Sequence, residues 1–452
     1  MGKLPHILVV SFPAQGHVMP LMKFSHQLVD HGYKITFVNT NSIHKKLVSS
    51  SILTDHKEGK YHNKIKLVSV PEFGDILNLK EYISETMAVH LEELIKKINE
   101  SDDEKIDYVV ADACIGGILE IAERFGIDGA AFWPASLGVL AFMLHFPNLV
   151  EAGDVDYNGN PVKKEAARLP LGMSAMSTVD LMWSYSGEPF TQVILITIII
   201  NVNKAAKIAS QMLCNSFSEL EPASHDFTPN ILTVGPLLSS EQLGHPNGQL
   251  WPEDSTCLTW LDQQPLQSVT YIAFGSTTLI DQSQFNELLH GLELVNRPFL
   301  LVVRPDGVDD LSASYADGFK DRIAHHGKVV DWAPQKRVLA HPSIACFITH
   351  CGWNSTLEAV SMGVPLLCWP YITDQFYNQN YICDILKVGL RVSKDKNGII
   401  TRSEIKTKVQ ALLGDDSIRS RANKLKDDAT RSISEGGSSS KNFDDFINRI
   451  KC

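Results

Sequence analysis

The sequence predicts an α/β protein made of two halves, each a parallel sheet with helices on both faces. Three observations predict it. Short apolar runs alternate with helical stretches from His6 to about Leu144. A segment rich in Gly, Pro, Ser and acidic residues follows Leu232–Leu238. The alternation then restarts at Ser268. Strands that alternate with helices pair in parallel, because each crossover helix returns the chain to the same edge of the sheet.

In the first half His6–Phe12 reads as a buried strand, Pro13–Gly16 as a turn and Met19–Asp30 as a helix ended by Gly32. Further strands are expected at Lys34–Asn39, Ile65–Val70, Tyr108–Asp112 and Gly129–Trp133. Helices are expected at Ile83–Asn99, Gly117–Phe125 and Leu137–Leu144, and residues 151–200 read as loops and helices. The composition shift places a linker at 240–254, between an N-terminal domain of 1–239 and a C-terminal domain of 255–437. Beyond it Ser268–Gly275, Phe299–Val303 and Lys328–Asp331 read as strands and Gln282–Leu294 as a helix. Helices from Arg402 to Leu413 and from Ile418 to Ser434 precede a Gly-Gly-Ser break, and Phe443–Ile450 is a last amphipathic helix.

The whole-chain numbers exclude several classes. A net charge of −11 leaves no basic surplus for a nucleic-acid backbone. Eight scattered cysteines without a CxxC pair suit reduced thiols in a cytoplasmic protein. The first residues lack a small-residue cleavage pattern, and position 6 is His where a myristoylation signal has Ser or Thr. The most apolar run, Val193–Ile200, is far shorter than the roughly 20 residues that cross a bilayer, and it reads as a buried helix or strand. No GxGxxG follows the first strand, and neither GxxxxGK[ST] nor GxSxG occurs. Dinucleotide, P-loop and serine-hydrolase readings are therefore weak. Nothing calls for a partner chain, and a monomer is the default.

The densest chemistry lies between Trp332 and Gln375. Cys346–Thr349 reads as a buried strand, and His350, Cys351 and Gly352 follow it. A helix then begins near Asn354–Thr356, with Asn or Ser as the expected N-cap. Residues 364–369 make a second buried strand, whose end delivers Asp374 and Gln375 in a polar loop. A strand, a small-residue turn and a helix N-terminus make an anion site, where backbone N–H groups and the helix dipole favour phosphate. Around it stand an indole (Trp332), an amide (Gln335), an imidazole (His350) and two carboxylates (Glu358, Asp374). That is the set of groups a nucleotide sugar needs.

This stretch closely resembles the donor-binding signature of plant family-1 UDP-glycosyltransferases, over its full length, and the resemblance extends more thinly over nearly the whole chain. It implies the GT-B fold: two Rossmann-like domains facing across a cleft, with the C-terminal helix of 438–452 packing back on the first. It implies that Trp332 stacks on uracil and that Ala333 contacts it through the backbone. Gln335 and Glu358 would hold the ribose. His350, Asn354 and Ser355, with Ser276, would hold the phosphates, and Trp353, Asp374 and Gln375 the sugar. Gln375 at the end of the signature favours glucose; a His there goes with galactose. UDP-glucose would be a co-substrate rather than a cofactor. No metal is implied, since no DxD-type cluster faces the phosphates and the helix N-terminus with His350 supplies the charge balance.

Two residues of the first half complete the chemistry. His17 lies in the Gly-containing loop after the first predicted strand, and a neutral imidazole is a good base near pH 7. Asp112 ends a strand of the same predicted sheet, where its carboxylate can fix the tautomer of His17. Relatives carry a catalytic His at this point in a similar GH motif. Many have Asn-Pro after it, whereas this chain has Met19-Pro20. The implied reaction is a single displacement that moves glucose to an acceptor hydroxyl as a β-glucoside. Phe12, Trp133, Phe142, Met143, His145, Trp183 and Tyr185 are candidates for a lipophilic acceptor pocket suited to a flavonoid, another phenolic or a terpenoid alcohol. The competing expectation is a catalytically silent nucleotide-sugar sensor or scaffold.

Overall fold

The structure is a computed structural model. It describes residues 4–49, 64–72, 79–102, 104–163, 166–167, 176–177, 181–182, 189–238, 253–305, 307–308, 318–323 and 325–451. It divides into two units, Met1–Leu250 with Arg431–Cys452, and Trp251–Thr430.

The first unit is built on strands β1 (His6–Val10), β2 (Lys34–Thr40), β3 (Ile65–Val70), β4 (Tyr108–Asp112) and β5 (Gly129–Trp133). A two-stranded antiparallel pair, β6 (Ala166–Ala167) and β7 (Met176–Ser177), stands apart from them. β8 (Gln211–Cys214) and β9 (Ile231–Thr233) complete the main sheet, which is parallel throughout in the order β3-β2-β1-β4-β5-β8-β9. The order reverses beside β1, so the carboxyl ends of β1 and β4 flank the crevice where such sheets bind ligands. Alternation of apolar and polar residues is absent from β1 and β4 because both faces are covered: every residue of the two strands is buried.

The helix after β1 spans Gln15–Asp30, so His17 sits in its first turn and not in a loop. Pro20 lies inside it, and the helix starts four residues earlier than its apolar spacing indicates. The long helix expected from Ile83 is a π-helical turn, Tyr82–Met87, running into Ala88–Asn99. The apolar run at 193–200 belongs to a 20-residue helix, Pro189–Ile208. That helix is only partly buried, with Val193 and Ile200 exposed. Among the described residues it alone is long and apolar enough to cross a membrane by length and composition. Its inner face packs on the turn after β4, where a Cβ on Gly116 would meet Ala205 at 2.2 Å. The final helix, Ser438–Ile450, belongs to this unit. Phe443 and Phe446 lie against Phe24 with ring centroids 5.7 and 5.8 Å apart, and Asn442 donates to the Thr233 carbonyl at 2.9 Å.

One buried carboxylate organises the far side of β5. Glu221 is inaccessible to solvent. It accepts from the Ser136 hydroxyl at 2.5 Å, from the Leu137 and Gly138 N–H groups at 2.9 Å each, and from the Ser216 hydroxyl. It thereby closes the N-terminus of the Leu137–Glu151 helix, which carries Phe142, Met143 and His145. Burial pushes its carboxyl pKa up, and the four hydrogen bonds oppose that shift.

The second unit holds β10 (Val269–Ala273), β11 (Phe299–Val302), β12 (Gly327–Val330), β13 (Ile344–Thr349), β14 (Leu366–Cys368) and β15 (Gly389–Arg391). They form a parallel sheet in the order β12-β11-β10-β13-β14-β15. Here too the order reverses, between β10 and β13, and the loops beyond their carboxyl ends hold the densest polar groups of the unit.

Candidate functional site

In the first unit the sheet brings together two residues far apart in sequence. His17 Nδ1 lies 2.8 Å from Asp112 Oδ2. Asp112 is fully buried, and its other oxygen accepts the Cys114 N–H at 2.9 Å, which fixes the carboxylate plane. A carboxylate facing Nδ1 favours the proton on that nitrogen and leaves the lone pair on Nε2. The His17 side chain keeps 24% of its surface exposed, so it is the accessible member of the pair. Phe12 packs against its ring, centroids 4.9 Å apart.

Among the described residues, His17, Asp112 and Cys114 also form the group whose ligand atoms lie near enough to share an ion, within 4.8 Å of one another. The 2.8 Å contact inside it is a hydrogen-bond distance, and the dyad accounts for it without an ion. Of the other acceptor-side candidates, Trp133 is buried and donates its Nε1–H to the Ser136 carbonyl at 2.8 Å. Phe142 and Met143 are buried in the Leu137–Glu151 helix, and His145 faces Phe227 with centroids 6.1 Å apart. Trp183 and Tyr185 lie outside the described residues.

In the second unit the loops after β10 and β13 meet at His350. The chain turns left-handed at Gly275 (φ 75°) and again at Cys351 (φ 65°). A Cβ on Gly275 would lie 2.5 Å from the imidazole, and one on Gly352 would lie 2.4 Å from it. The ring is thus held between two positions that only glycine can fill. Burial pushes its pKa down to about 4. The imidazole is uncharged at neutral pH. Beside it begins the helix Trp353–Met362. Its N-cap is Gly352, with no side-chain cap, rather than the Asn or Ser expected. An uncapped N-terminus leaves its N–H dipoles directed toward a ligand.

The buried imidazole sets a pH dependence. The unfolded chain binds a proton at an ordinary pKa near 6.5, while the folded chain refuses it until about pH 4. Stability is complete above pH 6.5 and falls as pH drops through that window, by an amount on the order of 3 kcal/mol. His6, also lowered by burial, adds loss of the same sign. Urea midpoints at pH 7 and pH 4.5 check it: His350→Gln is expected to lose less than the wild type over that interval.

Gln335 donates its Nε2–H to Glu358 Oε2 at 2.9 Å and to Ser355 Oγ at 3.0 Å, so the amide and carboxylate expected at the ribose are already paired. Tyr271 donates to Gln335 Oε1 at 3.3 Å. Trp332 is half-buried and accepts from the Asp254 N–H through its carbonyl, and Ala333 beside it is buried. Trp353 and Ser355 are buried in the first turn of their helix, with Asn354 half-buried between them. Asp374 and Gln375 are not in a loop; Asp374 is the N-cap and Gln375 the first residue of a helix ending at Asn380. Gln375 Oε1 accepts the Tyr371 and Ile372 N–H groups at 2.8 and 3.0 Å. Asn378 Nδ2 donates to Asp374 Oδ2 and to the Cys351 carbonyl, each at 2.9 Å, and so ties this loop to the phosphate loop.

Arg304 escapes a sequence reading. It is buried at the end of an apolar strand, and its guanidinium donates to the Ser276 carbonyl and, at 3.0 Å, to the Thr278 carbonyl. It fixes the loop that presents Ser276. A cation closing the run FLLVV was the available signal.

Residues 264–427 match the family model described as UDP-glucoronosyl and UDP-glucosyl transferase. The chain is 37% identical to UDP-glycosyltransferase 83A1 of Arabidopsis thaliana over 465 residues, covering 100% of this chain and 97% of that one. It is 33% identical to linamarin synthase 1 of Manihot esculenta, covering 99% and 97%. Among solved structures, a UDP-glucosyltransferase from Polygonum tinctorium capable of glucosylating indoxyl, in complex with 3,4-dichloroaniline, superposes with a TM-score of 0.84 at 28% identity, covering all of both chains. Phytolacca americana UGT2, complexed with UDP-2-fluoro-glucose and pterostilbene, gives 0.82 at 26% identity, covering 99% of this chain and 100% of that one. The fold is GT-B.

Proposed function

The chain belongs to the UDP-glucoronosyl and UDP-glucosyl transferase family and is a UDP-glycosyltransferase of the plant family-1 kind, and from that premise we propose that it transfers glucose from UDP-glucose to a hydroxyl of a small lipophilic acceptor with inversion. The observation that carries the mechanism is the 2.8 Å contact between His17 and Asp112. His17 Nε2 takes the proton of the acceptor hydroxyl as its oxygen attacks the anomeric carbon. The bond to the UDP oxygen breaks on the opposite face, so an α-linked donor gives a β-glucoside. Asp112 stabilises the imidazolium that forms. The leaving diphosphate is met by the N-terminus of the Trp353–Met362 helix, whose dipole is equivalent to roughly half a positive charge, and no metal is required. The acceptors in the relatives' names, among them a stilbene, indoxyl and 7-deoxyloganetin, support an aromatic or terpenoid alcohol. Free thiols at all seven described cysteines support a reducing, cytoplasmic setting.

The test is UDP release from UDP-glucose and from UDP-galactose against flavonoids, simple phenols and terpenoid alcohols. The expected result is preference for UDP-glucose, with the β-anomer as the product seen by NMR. Equal use of the two donors would remove the glucose assignment, and an α-product would remove the single displacement.

A further inference from the structure

We infer that Tyr271 is a positioning residue of the donor site: through its hydroxyl it orients the Gln335 amide, and through that amide the Glu358 carboxylate, for the ribose hydroxyls of the nucleotide sugar. The inference rests on the reading that Gln335 and Glu358 receive the ribose.

Tyr271 lies mid-strand in β10, directly opposite Phe347 of β13 in the register. Its ring stacks on that of Phe347, centroids 4.7 Å apart and 22° between planes, and the residue is buried. Phenylalanine would satisfy this packing, so the hydroxyl needs a separate reason. It is the donor to Gln335 Oε1 at 3.3 Å. The phenol stays protonated, since burial and then the Glu358 charge push its pKa well above the usual value.

The other end of the amide decides the direction of the whole chain of bonds. A carboxylate only accepts, so the Gln335 atom 2.9 Å from Glu358 Oε2 is nitrogen. The carbonyl oxygen then faces Tyr271 and needs a donor there. The relay runs from Tyr271 O–H to Gln335 C=O and from Gln335 N–H to the Glu358 carboxylate. Without the hydroxyl, Oε1 loses its protein donor. The amide turns toward whatever donor Ser355 or the ribose offers, and this takes Nε2 off Glu358.

The experiment compares wild type with Tyr271→Phe, which keeps the stacked ring. Calorimetry measures Kd for UDP and for 2′-deoxy-UDP, and kinetics measure KM for UDP-glucose and for the acceptor. The variant is expected to bind UDP about 2- to 10-fold more weakly, the range one neutral hydrogen bond supports. The KM for UDP-glucose should rise with it, while kcat and the acceptor KM hold. The preference for UDP over 2′-deoxy-UDP should narrow by a similar factor. A role confined to packing would lower the urea midpoint and leave that preference unchanged.

A Gln335→Ala background supplies the second arm. If Tyr271 acts through Gln335, the Phe substitution has no further effect there; full additivity overturns the relay. A wild type that prefers UDP beside a Tyr271→Phe variant with the same preference and the same UDP Kd sinks the role of Tyr271 alone. A wild type that binds both nucleotides equally sinks the ribose assignment, and the relay with it.

Discussion

His17→Ala is expected to lower turnover about 10²–10⁴-fold while UDP binds as tightly as in the wild type. The range is that of a positioned general base, and the two halves of the expectation separate because His17 belongs to the first unit and the nucleotide groups belong to the second. Asp112→Asn should also be severe. An amide can place its N–H₂ against Nδ1, which moves the imidazole proton to Nε2 and blocks the base. Asp112 is buried and sits 2.8 Å from the ring, so no solvent competes for that choice. Acceptors of lower pKa should recover more of the lost rate in both variants, because they need less help in losing the proton. The check is kcat for UDP release across phenols of graded acidity, with calorimetry for UDP. Turnover of His17→Ala within about tenfold of wild type would overturn the single-base mechanism.

Glu221→Ala is the substitution expected to cost most in stability, on the order of 3–5 kcal/mol. It removes an acceptor from two backbone N–H groups and two hydroxyls in a site with no water access. It also takes the carboxyl group away from the positive end of a 15-residue helix. Ser136 keeps its own bonds to the Gly138 and Val139 N–H groups at 3.1 and 3.3 Å, so the helix retains part of its cap. Glu221→Gln keeps the volume and one acceptor and should cost less than half as much. Urea unfolding followed by far-UV circular dichroism measures both. A glutamine variant with the wild-type midpoint beside a destabilised alanine variant would show that packing volume, not hydrogen bonding, carries the effect.

Much of this molecule is legible in its amino-acid order. Four strands of the first sheet, β1, β2, β4 and β5, and the central strands of the second stand out as apolar runs because they are buried on both faces; β3 is read from its β-branched residues although its middle is partly exposed. The dyad is legible only in part. The positions of His17 and Asp112 after their strands can be read, but their contact depends on β1 and β4 being neighbours across 95 residues. Strands β8 and β15 are four and three residues long, too short to show a period. The helix after β13 takes Gly352 as its N-cap, where the chain approaches His350 so closely that no side chain fits, and ordinary capping preference gives way to that crowding. Tyr271 and Arg304 are hidden for another reason. Each sits in or beside a strand that reads as core, and only the partner at the tip of the side chain shows what it does.

The return of the last helix to the first unit sets an order of events during synthesis. Phe24 is made before the second unit, while Phe443 and Phe446, which pack against it, emerge after the whole of that unit. At about 5–20 residues per second that interval is tens of seconds. The first unit is thus completed only after the second has been made.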